Sequence, residues 1–349
     1  MRFLWRWAKR FVLALVVLTI VLLAPVAYVE LACRGDAEPD AYAAILPPEH
    51  HRPETRTLMT YPEWHIVHAY AEYAEVIRTG DPHEYGFLRS VFGFWSSLCA
   101  LSQASAAHGE IDSATKQMVY VIGVSFTLEL GLKAAYEETL GRLFAVLRGS
   151  ERAPLDMLSA QQAADYATFL QQVPWYKWDF RSDANALADT ASDALRDTER
   201  RLALGLEYRA KAAYAGVIEQ AVANVGADAL TLRMIVNGDQ AVLSGWEEIS
   251  VIGETGRGIE IETPRYRALT NLMLEMVAEG IDFVEIAGND DILFTTNSAQ
   301  PSVPDAVFSA ARQGFDDYRH LILVSVPELA DRLRTMAAAG ETVEHIHDY

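Results

Sequence analysis

The sequence predicts an α+β protein in three parts: an N-terminal transmembrane helix, a mainly α-helical bundle, and a C-terminal ferredoxin-like α/β sandwich. Three observations predict it. An uncharged apolar run, Phe11 to Val29, follows Arg2, Arg6, Lys9 and Arg10. Helical periodicity with cap and stop residues continues from Thr60 to about Asn224. Short β-rich runs bounded by glycine and proline fill the remainder.

The apolar run is long enough to cross a bilayer as a helix. Four cations lie on one side of it, with Glu30, Asp36, Glu38 and Asp40 on the other. Positive charge stays inside, so the expectation is a single-pass inner-membrane protein with its N-terminus cytoplasmic and its bulk periplasmic. A cleaved signal peptide would end in a small-x-small site. The residues before Cys33 are Glu30, Leu31 and Ala32, a poor site for a signal or lipoprotein peptidase, so residues 1–35 read as a retained anchor.

The chain has 349 residues, half of them apolar, and a net charge of −19. Without the four N-terminal cations, 25 basic residues face 48 acidic ones, a net −23. So acidic an ectodomain excludes nucleic-acid binding, which needs a cationic footprint. Cys33 and Cys99 are the two cysteines. Outside the cytoplasm they can pair, tying the bundle to the anchor; the alternative is a buried Cys99 beside an unpaired Cys33.

Residues 36–58 are rich in proline and acid and read as a strap. Residues 59–226 form the bundle. Its first helix is expected to start at the capping box Thr60-Tyr61-Pro62-Glu63 and run to Arg78. The others span about Glu84–Ala107, Ser113–Arg148, Ser159–Gln172 and Ala186–Ala223, the last broken near Gly205 or Gly216. Residues 227–349 hold two look-alike units, each strand, proline, helix, glycine, strand: Ile259–Ala287 and Leu321–His347. With Ile292–Thr295 added, the order matches a βαββαβ sandwich. Gly288–Asp291 reads as a hairpin turn and Asp305–Tyr318 as an inserted helix.

Three groups carry candidate chemistry. On the first bundle helix Tyr61, His65, His68, Glu72 and Glu75 share about 80° of arc. Imidazole and carboxylate three or four residues apart can hold a divalent metal such as Zn²⁺, or transfer a proton. A solvent-facing stripe looks the same. In the third helix Glu129, Lys133 and Glu137 interrupt an apolar run, and Arg89 interrupts another in the second helix. Buried charge is expensive unless paired, so an Arg89–Glu129 contact is expected, with pairing along the Glu129–Lys133–Glu137 ridge. Arg89 and Lys133 are the alternative lining of an anion pocket. Last, His345 and His347 share one face of a terminal strand and offer a second metal pair or a solvated edge, with His320 as a possible third ligand.

No nucleophile constellation or phosphate loop appears, and Gly253–Gly258 reads as a hairpin turn. The expected function is therefore a non-enzymatic, membrane-anchored binding or assembly module. The alternatives are a metal-dependent enzyme using His65, His68 and Glu72, and a carrier of lipid or another apolar ligand lined by helices two and three and Trp175–Phe180.

Overall fold

A computed structural model describes residues 2–37, 42–223 and 230–349. Glu38, Pro39 and Asp40 of the strap, and the expected boundary at 226, lie outside the described residues. Helix α1 (Arg2–Ala32) is apolar through most of its 31 residues and, among its described side chains, exposes most. At 1.5 Å per residue it is longer than a hydrocarbon core of about 30 Å. Its last turns are built into the protein: Val29 and Cys33 are buried against the bundle. Cys33 is disulfide-bonded to Cys99 on α3 (Phe87–Ala104), so the paired alternative is the one that forms.

The bundle is organised around α2 (Thr55–Thr79), which packs on α3, α4 (Ser113–Tyr136) and α6 (Pro154–Leu170). Helix α2 starts five residues before the expected capping box. Thr57 docks the early start: its hydroxyl donates to the His347 carbonyl and accepts from the Leu293 N–H. Helix α4 begins where Asp112 accepts from the N–H groups of Ala114 and Thr115, an N-cap. Gly123 lets α3 approach: a Cβ there would lie 2.5 Å from the Phe94 ring.

A π-helical turn, Glu137–Gly141, joins α4 to α5 (Arg142–Arg148). It turns Glu137 inward onto Arg200, a bidentate pair at 2.9 and 2.8 Å. A Cβ at Gly141 would strike the Glu137 carboxylate. The expected fifth helix divides into α7 (Phe180–Thr190) and α8 (Leu195–Ala223), with the break at Ala191–Ala194 and not at either glycine. Asp197 explains the position, because its carboxylate accepts from Ser192 and from the Leu155 N–H.

The C-terminal strands form two sheets, where the sequence predicts one. Strands β1 (Thr231–Asn237), β2 (Ser250–Thr255), β3 (Gly258–Pro264) and β4 (Asp282–Ile286) pair in the order β2-β3-β1-β4. A short helix α9 (Gln240–Leu243) follows β1, and α10 (Tyr266–Ala278) links β3 to β4. Strands β5 (Asp291–Ser298), β6 (Ala306–Ala311), β7 (Tyr318–Ser325) and β8 (Thr342–His347) pair as β6-β7-β5-β8, with α11 (Val326–Ala339) between β7 and β8.

All pairs are antiparallel. The repeat seen in the sequence is therefore real, but its unit is strand-strand-strand-helix-strand. The expected helix within Asp305–Tyr318 is instead β6 and a turn, because Val307 and Phe308 pack onto the bundle core from a strand paired with β7. Gly288–Asp291 joins strands of different sheets and makes no hairpin. Gly253–Gly258 does contain the β2–β3 turn.

Two cores hold this together. One lies among both sheets, α10 and α11, with Met234, Phe283, Phe294 and Ile346 fully buried. The other is the bundle core, to which the second sheet contributes Leu293 and Leu321. The strap packs Ile45 and Leu46 against Ile235 and Val284 of the first sheet. Buried Glu285 on β4 accepts from the Tyr42 hydroxyl and from the N–H groups of Ile45 and Leu46. Bundle and sheets thus share buried side chains and do not behave as beads on a string.

The disulfide closes a separation of 66 residues. On the chain-entropy account, replacing Cys33 and Cys99 by serine lowers unfolding free energy by about 4 kcal/mol. Urea unfolding of the detergent-solubilised chain checks this.

Candidate functional site

The sequence places His65 and His68 apart from His345 and His347. The structure brings His68 to His345 and His347, while His65 turns toward Ser90, Phe94 and Phe126. Helix α2 lies across β8, and Tyr61, Trp64 and His68 meet both strand histidines' surroundings from the helix side. The Trp64 ring stacks on His345 with centroids 3.4 Å apart, His345 and His347 are 4.8 Å apart, and Tyr61 is 5.5 Å from His347 and 6.3 Å from His68. His345 and His347 are fully buried, so the solvated-edge reading of β8 is overturned. The same holds for the stripe on α2: Tyr61, His68 and Glu72 are buried because α2 is enclosed by helices on one side and β8 on the other.

A guanidinium organises this interface. Arg319 on β7 donates to Glu72 at 2.7 Å and to both oxygens of Glu344 at 2.5 and 2.8 Å. Glu72 also accepts from the Gln313 N–H. His68 Nε2 stands 3.5 Å from Glu344. Burial pushes all four imidazoles toward the neutral form, with Arg319 reinforcing it at His65, His68 and His347. His65 falls to about 4 and His347 to about 3, and His68 and His345 lie well below the usual histidine value.

His65 is fixed by Ser90, whose carbonyl lies 3.0 Å from Nε2. His345 Nδ1 is held 2.9 Å from the Thr270 hydroxyl. His65 Nδ1, His68 Nε2, His345 Nε2 and both nitrogens of His347 have no hydrogen-bond partner. Neutral, unpartnered imidazoles are the form that ligates metals. Their donor atoms do not converge, however: among the described residues the one set of three whose ligand atoms all lie within 4.8 Å is elsewhere. His320 is also apart, held between Ser298 and Ser309.

The charges in the apolar helices go to a second cluster. Glu129 pairs with Lys211 at 2.7 Å and accepts from the Tyr70 hydroxyl. Lys133 pairs with Glu207 at 3.0 Å, and Lys211 reaches Glu207 at 3.1 Å. Burial raises the Glu207 carboxyl, but Lys133 and Lys211 outweigh it and hold it at about 2. Arg89 is exposed and takes no part, so the expected Arg89–Glu129 contact does not form. The ridge Glu129–Lys133–Glu137 does not pair with itself either, because α8 supplies closer partners. Lys211 and Glu207 gave no sequence signal, being ordinary charges on an amphipathic helix. The cavity between them, lined by Tyr70, Tyr166 and Phe180, holds about 30 Å³, room for a water and not for a lipid.

A larger void lies elsewhere, at the C-terminal end of α1: about 330 Å³ lined by Glu30, Arg34, Ser105, Lys116 and Tyr120 among others. Comparison with known protein families, curated proteins and solved structures gives no match.

Two outcomes follow from this geometry. Arg319→Met leaves Glu72 and Glu344 buried without their partner, and is expected to cost about 3–5 kcal/mol in urea unfolding. Second, an imidazole with a depressed folded pKa is protonated first in the unfolded state, so stability is complete above about pH 6.5 and is lost as pH falls. His347 alone is expected to contribute a loss of about 2 kcal/mol at pH 5, at about 1.4 kcal/mol per unit. Carboxylates titrate lower, so a melting curve against pH between 7 and 5 isolates the histidines, and His347→Gln flattens it.

Proposed function

We propose that this protein is a non-enzymatic assembly module of the inner membrane, with its N-terminus cytoplasmic and its folded bulk periplasmic, that associates with a second copy through α4 and α5. The observation that carries the reading is an apolar seam left uncovered on these helices. Met118, Val121, Leu128 and Leu132 are exposed on α4, and Leu143 and Leu147 on α5. With Ser125 and Ala135, also exposed, the spacing alternates three and four. That is the heptad rhythm of one helix meeting another. The π turn inserts one residue, and Leu140 resumes the seam after it.

The occupant follows from surroundings. The helix from Ser113 to Arg148 is long and apolar enough to cross a membrane, but its opposite face carries Glu129, Lys133 and Glu137 into buried pairs. An ectodomain of net −23 is repelled by an anionic bilayer surface, which speaks against the seam lying on lipid. Anchors confine all copies to one plane at one height, which raises their effective concentration. Four N-terminal cations support the orientation, and the Cys33–Cys99 bridge suits an oxidising compartment. The metal-enzyme reading fits less well, since His68 and Glu72 are occupied in the α2–sheet interface. The carrier reading fits less well too, since the apolar cavity lined by Tyr73, Phe87, Phe126 and Leu130 holds only about 10 Å³.

Light scattering in mild detergent and cross-linking in native membranes test the reading. Wild type is expected to be a dimer, and Leu128→Glu with Leu132→Glu a monomer of unchanged melting temperature, since exposed substitutions cost within about 0.5 kcal/mol. A wild type that is monomeric by both measurements overturns it.

A further inference from the structure

We propose that Glu54, His108 and Asp291 form a divalent-metal site, suited to Zn²⁺ or a similar first-row ion, that clamps the bundle to the second sheet. Glu54 immediately precedes α2, His108 lies in the turn after α3, and Asp291 opens β5. Nothing in the sequence joins them, as they are 54 and 183 residues apart. In the fold their ligand atoms all lie within 4.8 Å of one another.

The distances are those of ligands around an ion. His108 Nδ1 is 3.4 Å from Glu54 Oε2 and 3.7 Å from Asp291 Oδ2. A direct charge-assisted hydrogen bond would be about 2.7–2.9 Å. Zinc bonds of about 2.0–2.2 Å place tetrahedral donors about 3.3–3.6 Å apart. One imidazole and two carboxylates are the donor set of borderline first-row ions and not of Mg²⁺.

The Glu54 carboxylate is also oriented from behind, as metal ligands are. Glu54 Oε1 accepts from the Asp291 N–H at 2.8 Å, leaving Oε2 toward His108. The Asp291 carbonyl accepts from the Tyr349 hydroxyl. The Glu54 and His108 side chains are nearly enclosed, while that of Asp291 is 31% exposed. Three protein ligands with an entry beside Asp291 leave a fourth position for water. A protonated His108 bridging two carboxylates would use the same residues without an ion, so the test must separate the two.

The untagged, detergent-solubilised full chain is stripped with chelator and titrated with Zn²⁺ and with Mn²⁺ by calorimetry, and its metal content measured after dialysis. One equivalent is expected at pH 7.5, with affinity falling at pH 5.5 as His108 protonates. Glu54→Gln preserves the bond from the Asp291 N–H, and Asp291→Asn alters a partly exposed group, so both are expected to fold by circular dichroism. Each is expected to weaken binding at least about tenfold, because even second-shell changes cost about 10–100-fold. A wild type that retains no metal overturns the proposal and leaves the protonated bridge. Wild-type affinity in both folded variants also overturns it, and loss of binding in His345→Ala but not in Glu54→Gln assigns the ion to the histidine cluster instead. Since the readout is metal stoichiometry, it is independent of whether the chain self-associates.

Discussion

Arg319 sits where the helical bundle meets the second sheet. The residue is 5% exposed, and its guanidinium fork is filled by Glu72 from α2 and Glu344 from β8. A guanidinium suits such a place because it is planar and always charged. Remove it and two carboxylates stand in a dry interface beside four imidazoles that cannot protonate to help. Around it Gln313 bonds both Glu72 and the backbone of Gly86, so α2, α3, β7 and β8 are fixed by one connected set of polar contacts. Such networks stabilise less than an apolar core of equal volume, but they accept only one register.

The bundle distributes polarity against the usual habit. Helix α2 turns Tyr61, His68 and Glu72 inward, whereas α4 turns Met118, Val121 and Leu132 outward. Both follow from counting neighbours. Helix α2 is covered on all sides, so its polar side needs buried partners, and Arg319 and the strap side of the second sheet provide them. Helix α4 packs on α2, α3 and the end of α1, and its other face stays uncovered. Its charged residues find α8 on the packed side, and its apolar residues are left facing away. An uncovered apolar seam of this length costs free energy in water, and a facing helix removes that cost. The π turn matters to both faces: one added residue turns Glu137 into the core and keeps Leu140, Leu143 and Leu147 on the seam.

The anchor is continuous with this arrangement. Helix α1 ends inside the bundle, the disulfide pins it to α3, and the strap that follows is held by Glu285 on β4. The end of α1, the bundle and the first sheet are therefore tied to one another.

By itself the sequence determined what depends on local chemistry. The length and charge flanks of the apolar run define α1, Asp112 starts α4, and glycine and proline punctuate the repeated strand–helix–strand units, because caps, hydropathy and turn dihedrals act within a few residues. It also supplied the site residues one element at a time: Tyr61, His65, His68 and Glu72 on one helix, His345 and His347 on one strand. Only the tertiary structure decided that these two sets share an interface, that Arg319 joins them, that Glu129 and Lys133 choose Lys211 and Glu207 over Arg89, and that eight strands divide into two sheets. Those outcomes depend on which faces are covered by segments hundreds of residues away, and a stripe of histidine and glutamate has the same spacing whether water or a sheet lies against it.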